Sequence, residues 1–274
     1  MLYDFNIPYP SNPDPSDLRR LERILFRIQS IQNATIALNL TTTDAFVAKT
    51  AEAIKPIAPD RFGKHVKQMT RITVTATEAK KNYMLVSTNA ANQSVDILAV
   101  RPTNIDICKH ACQNYDVDII SIDCSIGRSL PNHASAQVAI SRGIFFEICY
   151  AQAFRTKEKR SMFFQNVKRL VEVTRGDNLI FSSEALHALD IRRPSDMRML
   201  GLLFGLRQDQ IKAATGYNYQ RLLLKAETRK STLNAAIKAE PIPGQSNEQS
   251  SGEVDSKRKL EDESKTQKKK QKIQ

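Results

Sequence analysis

The sequence predicts an α/β barrel followed by an unstructured tail, and three observations carry this. Short β-branched or apolar runs alternate with amphipathic segments about seven times along the chain. The runs are apolar without interruption, as in strands buried on both faces. That is the pattern of parallel strands joined by right-handed helical crossovers. The alternating part, residues 1–239, is close in length to the roughly 250 residues of a TIM-type barrel. An open doubly wound sheet is the alternative.

Taken in order, Leu2–Phe5 is the first strand. Pro15-Ser16-Asp17 opens a helix that reaches about Gln32, with Leu18, Leu21, Leu25, Ile28 and Ile31 at helical spacing. Ala34–Leu38 is the second strand. Residues 44–54 read as helix and stop before Pro56. Thr70–Ala76, TRITVTA, is β-branched and reads as strand. Residues 78–91 read as helix, Asp96–Val100 as a strand closed by Pro102, Ile105–Tyr115 as helix and Asp118–Ile122 as strand. A helix over 134–142 precedes the strand Ile144–Tyr150. Lys159–Thr174 is a strongly amphipathic helix and Asn178–Ser182 the seventh strand. Helices over about 195–205, 208–215 and 218–228 follow. No eighth strand is visible.

Composition narrows the function. The chain has 274 residues, 41% hydrophobic, enough for a packed core. No apolar run approaches the roughly 18–20 residues of a membrane helix. The start, MLYDFNIPYP, has neither a basic n-region nor a long apolar h-region, so no secretory signal is expected. Four cysteines do not make a disulfide framework at this length and suit a reducing compartment. The first strand–helix junction, NIPYPSNPDPSD, has no glycine, so the dinucleotide fingerprint is absent.

The net charge is +12. From Glu240 onward the chain is Gln, Ser, Glu and Lys, without an aromatic residue, and is expected to be disordered. Its charges nearly cancel, so the surplus belongs to residues 1–239. Arg155 to Lys230 alone holds sixteen basic and eight acidic residues. A solvated helix surface is the bland account. Confinement of the surplus to one third of the chain favours a polyanion, because each Lys or Arg on a phosphate releases counterions. Within the tail, Lys257-Arg258-Lys259 and Lys268, Lys269, Lys270 and Lys272 form two clusters of the nuclear-localisation type.

Catalytic residues of a barrel sit at the C-terminal ends of its strands. Asp4, Asp123, Glu147 and Glu184 fall there, and four carboxylates could in principle hold a metal for a stand-alone phosphoesterase. Yet His65, His110, His133 and His187 form no H-x-H pair after a strand and no H-E-x-x-H motif. Cys108-x-His110-x-Cys112 is not a zinc site by spacing. On a helix the two cysteines share a face and His110 points away. Cys124 and Cys149 follow strands without a placed histidine or asparagine.

Several stretches, in order and spacing together, carry a resemblance. They are Thr70–Thr73, Asp96–Val100, Tyr115–Ile120, Ala139–Gly143 leading into Phe146-Glu147, Ser182–Ala185, Ile191–Asp196, Leu200–Leu206 and Glu227–Lys230. In these the chain resembles the family of 30-kDa protein subunits of nuclear ribonuclease P and ribonuclease MRP, the eukaryotic and archaeal protein component 3. The resemblance runs from the first strand to about Lys230. It departs at Asn6, where the family's first strand carries a second acidic residue, and is weaker through Ala53 and over Cys124–Ala134.

The resemblance implies a TIM-barrel-like fold of the polymerase-and-histidinol-phosphatase type without that barrel's metal-binding histidines. It implies a non-catalytic subunit of an endoribonuclease whose RNA removes the 5′ leader of precursor tRNA. No cofactor is expected on this chain, and magnesium ions are expected with the RNA subunit. The implied partners are ribonuclease P RNA, MRP RNA, a small RRM-like protein subunit and, indirectly, precursor tRNA, in the nucleus and nucleolus. Carried over residue by residue, the RNA-contacting positions are Arg71, Arg142, Arg192, Arg193, Arg229 and Lys230. Structural roles compete with this: Arg71 could pair with Glu147, and Arg192 with Asp196. Gly201 and Gly205 read as packing positions on one helix face.

Overall fold

The computed structural model describes residues 1–43, 48–82, 84–86, 88–127 and 129–231. The tail expected from Glu240, with both basic clusters, lies outside them. Strand β1 (Leu2–Pro8) leads to α1 (Pro15–Gln29), β2 (Ala34–Thr43), α2 (Ala48–Glu52), α3 (Pro59–Phe62) and β3 (Val66–Ala76). A 3-10 turn at Ala79–Asn82 and α4 (Ala90–Gln93) precede β4 (Ile97–Pro102), α5 (Ile105–Asn114), β5 (Ile119–Ile122) and α6 (His133–Ser141). Then come β6 (Phe145–Cys149), α7 (Gln152–Arg155), α8 (Lys157–Thr174), β7 (Leu179–Ser182) and a 3-10 turn at Ala188–Asp190. The last elements are α9 (Pro194–Leu203), α10 (Gln208–Lys212), a π turn at Ala213–Tyr217 and α11 (Asn218–Ser231).

The seven strands lie in sequence order and all neighbouring pairs are parallel. They curl into a nearly closed barrel, as the alternation predicts, and not into an open doubly wound sheet. Helix α1 shows the local logic. Asp14 caps it by accepting the Asp17 N–H at 2.7 Å, and Pro15 presets its first turn. Leu21, Ile24, Leu25 and Ile28 form its buried stripe.

Apolar side chains divide into two clusters. The larger lies between strands and helices and includes Leu25, Val100, Phe146, Val167 and Phe204. The smaller fills the barrel itself with Phe5, Ala37, Ile97, Ala99, Ile119, Phe145 and Ile180, joined by Tyr219 and Leu222 of α11. Each large side chain buried there contributes about 1.5–3 kcal/mol. The β1–β2 register shifts between Asp4 and Ile7. This irregularity lets two consecutive residues face inward, since Phe5 joins the inner cluster while Asn6 hydrogen-bonds to Glu147.

Among the described residues no eighth strand pairs β7 to β1. The π turn and the start of α11 occupy that place. Tyr219 stacks on Tyr3 with ring centroids 5.0 Å apart and meets Phe5 edge-on at 4.8 Å. Its hydroxyl donates to the Phe181 carbonyl, and the Asn218 amide donates to the Leu179 carbonyl at 2.8 Å. Near the other end of the seam the Ser183 N–H donates to the Asp4 carboxylate at 3.0 Å. Helix α11 then crosses the N-terminal ends of the strands, where Lys225 donates to the Val117 carbonyl at 2.9 Å.

Sequence expectations fail locally in two places. The described part of residues 78–91 forms no continuous helix, because asparagine side chains satisfy the backbone instead. Asn82 donates to the Glu78 carbonyl at 2.8 Å, and Asn92 to the Met84 and Val86 carbonyls at 2.9 and 2.8 Å. Gly205 is not on the α9 face: it follows the helix with φ +90°, a conformation that favours glycine. Gly201 does pack, since a Cβ there would lie 2.7 Å from Ile211 Cγ1. Among the described residues no helix is long and apolar enough to cross a membrane.

Candidate nucleic-acid interface

The C-terminal half of the barrel interior holds a closed hydrogen-bonded ring. Arg71 on β3 binds Glu147 on β6 with both terminal nitrogens, at 2.5 and 2.7 Å. It also donates to the Phe5 carbonyl at 2.7 Å and to Thr73 Oγ1 at 3.1 Å. Thr73 donates to Asn39 Oδ1 at 2.7 Å, and Asn39 donates to Asn6 Oδ1 at 2.7 Å. Asn6 closes the ring by donating to Glu147 Oε2 at 3.2 Å. All five residues are buried. Burial pushes the Glu147 carboxyl up, but the Arg71 guanidinium outweighs it and holds the group down at about 2.

The other mouth carboxylates are engaged as well. Glu184 pairs with Arg101 at 2.7 Å and Arg155 at 3.2 Å, and accepts from Gln152 at 3.0 Å. Asp123 accepts from the Ser125 N–H and hydroxyl at 2.9 and 2.6 Å. Asp4 is buried across the β1–β7 seam, and burial raises its carboxyl to about 6. Among the described residues no group of three or more His, Cys, Asp and Glu side chains could hold a metal ion. The donor set itself does not suit one, because a guanidinium occupies both oxygens of the central carboxylate.

The cysteines are core residues. All four are free and buried. Contact with Cys112 and burial push the Cys108 thiol up, and burial does the same for Cys124 and Cys149. His110 stands edge-on to Tyr115 and contacts the Asn114 amide at 3.0 Å.

The six basic positions expected to touch RNA separate into three kinds. Arg71 and Arg229 are withdrawn from that role by burial. Arg71 is 0% exposed inside the ring. Arg229, 5% exposed, pairs with Asp118 at 2.9 Å and donates to the carbonyls of Asn92, Val95 and Asp96. Arg142 and Lys230 are partly committed. Arg142 closes the C-terminal end of α5, donating to the Cys112 and Tyr115 carbonyls at 2.9 and 2.8 Å and pairing with Asp116 at 2.9 Å. Lys230 pairs with Asp96 at 2.5 Å.

Arg192 and Arg193 form the third kind. Neither makes an ion pair among the described residues. Arg192 does not reach Asp196 as expected; that carboxylate caps α9 by accepting the Arg193 N–H at 3.2 Å. Arg192 instead lies 4.6 Å from the Phe154 ring centroid, and its Nε has no hydrogen-bond partner. Arg193 is exposed. Lys157, Lys159, Arg160, Lys168 and Arg169 of α8 are exposed too.

The barrel interior is thus closed by an ion pair, while Arg192 and Arg193 at its outside make no ion pair among the described residues. Comparison with known proteins names the family. The profile described as RNase P subunit p30 matches residues 1–231. The chain belongs to the RNase P subunit p30 family. It is 31% identical over 250 residues to the mouse ribonuclease P protein subunit p30, covering 86% of this chain and 91% of that one. It is 30% identical over 242 residues to the probable ribonuclease P protein subunit 3 of Schizosaccharomyces pombe, covering 86% and 98%. In fold it matches a chain in the cryo-EM structure of archaeal ribonuclease P with mature tRNA, with a TM-score of 0.61 at 16% identity, covering 90% and 100%. These relatives place the chain among ribonuclease P protein subunits and not among stand-alone phosphoesterases.

Set in the p30 family, the chain uses its buried arginines Arg71 and Arg229 to tie strands and helices of the barrel together. Sequence reading missed Arg101, Arg155 and Tyr219, whose partners lie far away along the chain. It also passed over α1, where Arg19, Arg23 and Arg27 recur every four residues, a spacing that was open to inspection.

Proposed function

We propose that this p30-family subunit binds the RNA of ribonuclease P through Arg192, Arg193 and the exposed basic side of α8, and leaves the removal of the 5′ leader from precursor tRNA to that RNA. The observation that carries this is the pair Arg192–Arg193, arginines at the surface without a carboxylate partner among the described residues. A forked guanidinium in that state is suited to phosphate. Arg142 and Lys230 stand at the rim of the barrel's N-terminal end, each paired with a carboxylate that RNA would have to displace. Magnesium ions enter with the RNA, not with this chain. MRP RNA is a second RNA partner and a small RRM-like subunit the protein partner. The chain acts in the nucleus and nucleolus, directed by Lys257–Lys259 and Lys268–Lys272.

The test is to purify the tagged chain from its own cells at moderate salt, sequence the RNA that comes with it, and assay the eluate on 5′-extended precursor tRNA. Enrichment of one or two structured RNAs, with cleavage lost after ribonuclease pretreatment, is expected. The R192Q/R193Q variant recovers less RNA, and its recovery falls off less steeply with salt, by about 0.7–0.9 in log–log slope for each phosphate left without its arginine. Cleavage that survives pretreatment, or no enriched RNA, would overturn the reading.

A further inference from the structure

Helix α1 carries an arginine stripe that no role described above uses. Arg19, Arg23 and Arg27 stand four residues apart, so each is about 6 Å along the helix from the next and on the same face. Arg61 of α3 joins them, and the four line one groove of about 560 Å³ with Glu22, Phe26, Ser30 and Ala188. Arg20, one position off the stripe, is turned aside to Asp17 and to the Pro8 carbonyl. By contrast Arg19, Arg23, Arg27 and Arg61 make no ion pair among the described residues. The Arg27 Nε is buried and has no hydrogen-bond partner, and the Arg19 Nε donates to the Pro15 carbonyl at 3.1 Å. Among the described residues lining the groove, Glu22 is the one carboxylate.

Phe26 sits in the middle of this charge and is 57% exposed. It is the most exposed phenylalanine among the described residues, ahead of Phe154 at 39%. Arg61 lies 5.8 Å from its centroid and 5.3 Å from that of Phe62, so one guanidinium is held between two rings. With Arg61 in that position, more than half of Phe26 is still exposed. A row of guanidiniums at regular spacing, interrupted by one exposed aromatic face, is complementary to a strand of unpaired nucleotides. The phosphates meet the arginines and a base stacks on the ring. A duplex fits less well, because its bases are already stacked on each other.

We propose that this face of α1 is a second RNA contact of the subunit, which grips an unpaired stretch of RNA by its phosphates on Arg19, Arg23, Arg27 and Arg61 and by one base on Phe26. It rests on the RNA-binding reading above and adds the place and the form of RNA taken. The four arginines favour a polyanion, and the competitor of the same charge, an acidic peptide, is separated by the test.

The full-length chain is titrated against a labelled oligouridylate of about 12 nucleotides, within the usual range of site sizes, and against polyglutamate as the protein-like polyanion. R23Q/R27Q is expected to weaken RNA binding about tenfold near 0.15 M salt and to reduce the salt slope by about 1.4. F26L, which keeps bulk but not the ring face, weakens it about fivefold or more, and F26W restores it. In the particle purified from cells, ultraviolet crosslinking attaches a uridine to the peptide Ile24–Arg27. Wild-type binding left unchanged by R23Q/R27Q and F26L overturns the α1 site while the RNA-binding reading stands. Polyglutamate binding as tightly as RNA, or F26W failing to restore the F26L loss, overturns it too. No RNA binding by the wild-type chain overturns both.

Discussion

Removing the Arg71 guanidinium should cost the barrel most of what the interior ring contributes. In the intact chain Glu147 is held at about 2 against an ordinary 4.5. A depressed carboxyl stabilises the fold above its unfolded value and loses that contribution as pH falls through its folded value, here between about 5 and 2. The difference is worth about 3 kcal/mol at neutral pH. That agrees with the roughly 3–5 kcal/mol cost of breaking a buried pair and leaving one charge behind. R71L should therefore lower Tm by about 6–12 °C for a domain of this size. The sign of the pH response then reverses at this site. Without the guanidinium, burial alone acts on Glu147 and raises it. The gap between R71L and wild type should be widest near pH 7 and narrow below pH 5. R71L/E147L should recover most of the loss, short of about 1–3 kcal/mol for the orphaned Asn6 and Phe5 carbonyl partners. Differential scanning fluorimetry from pH 4 to 8 reads all three. A Tm for R71L within about 2 °C of wild type at pH 7, or a gap that does not vary with pH, would refute the reasoning.

Other perturbations separate the remaining roles. Asp4 is raised by burial to about 6, so its contribution is full below about 3.8 and lost as pH rises through 6. D4N should be more stable than wild type at pH 8 by about 2–3 kcal/mol and no more stable at pH 4, as chemical denaturation would measure. R229M leaves Asp118 buried without its partner and should cost about 3–5 kcal/mol, with faster amide exchange in α11, while K230Q stays within about 1 kcal/mol because its ion pair is part-exposed. G201A drives a Cβ to 2.7 Å from Ile211 and should destabilise by about 1–3 kcal/mol in urea melts. G205A, which meets nothing within 4 Å but holds φ +90°, should lose about 1–2 kcal/mol for backbone reasons alone.

The strands were legible because burial on both faces writes itself as continuous apolar runs, such as Asp96–Val100 and Asn178–Ser182. Their ends were less so. Strand β3 begins at Val66, four residues before the β-branched run, because its first half pairs with β2 while remaining partly exposed. The 78–91 segment has helical spacing, yet its asparagines bond to the backbone, and such competition leaves no periodic trace. The fate of the basic residues was hidden for a different reason. Arg71 and Arg193 look alike in sequence. What separates them is Glu147, 76 positions away from Arg71, and nothing in the local run reports it. The α1 stripe is written locally, at a spacing of four, and charge averaged over a third of the chain blurs it.

The unpaired seam has a consequence for how this chain stays apart from its own copies. A seven-stranded parallel barrel that stops short of closure presents two strand edges, β1 and β7, each a template for another chain. Here the covering is supplied by residues that come late in the folded chain: Asn218 and Tyr219 cap β7 carbonyls, and Tyr219 spreads over Tyr3. Loss of that cover would leave every strand intact and still turn the particle's scaffold into an assembly hazard. Damage at residues 213–222 should thus show itself first as aggregation, before any loss of strand content.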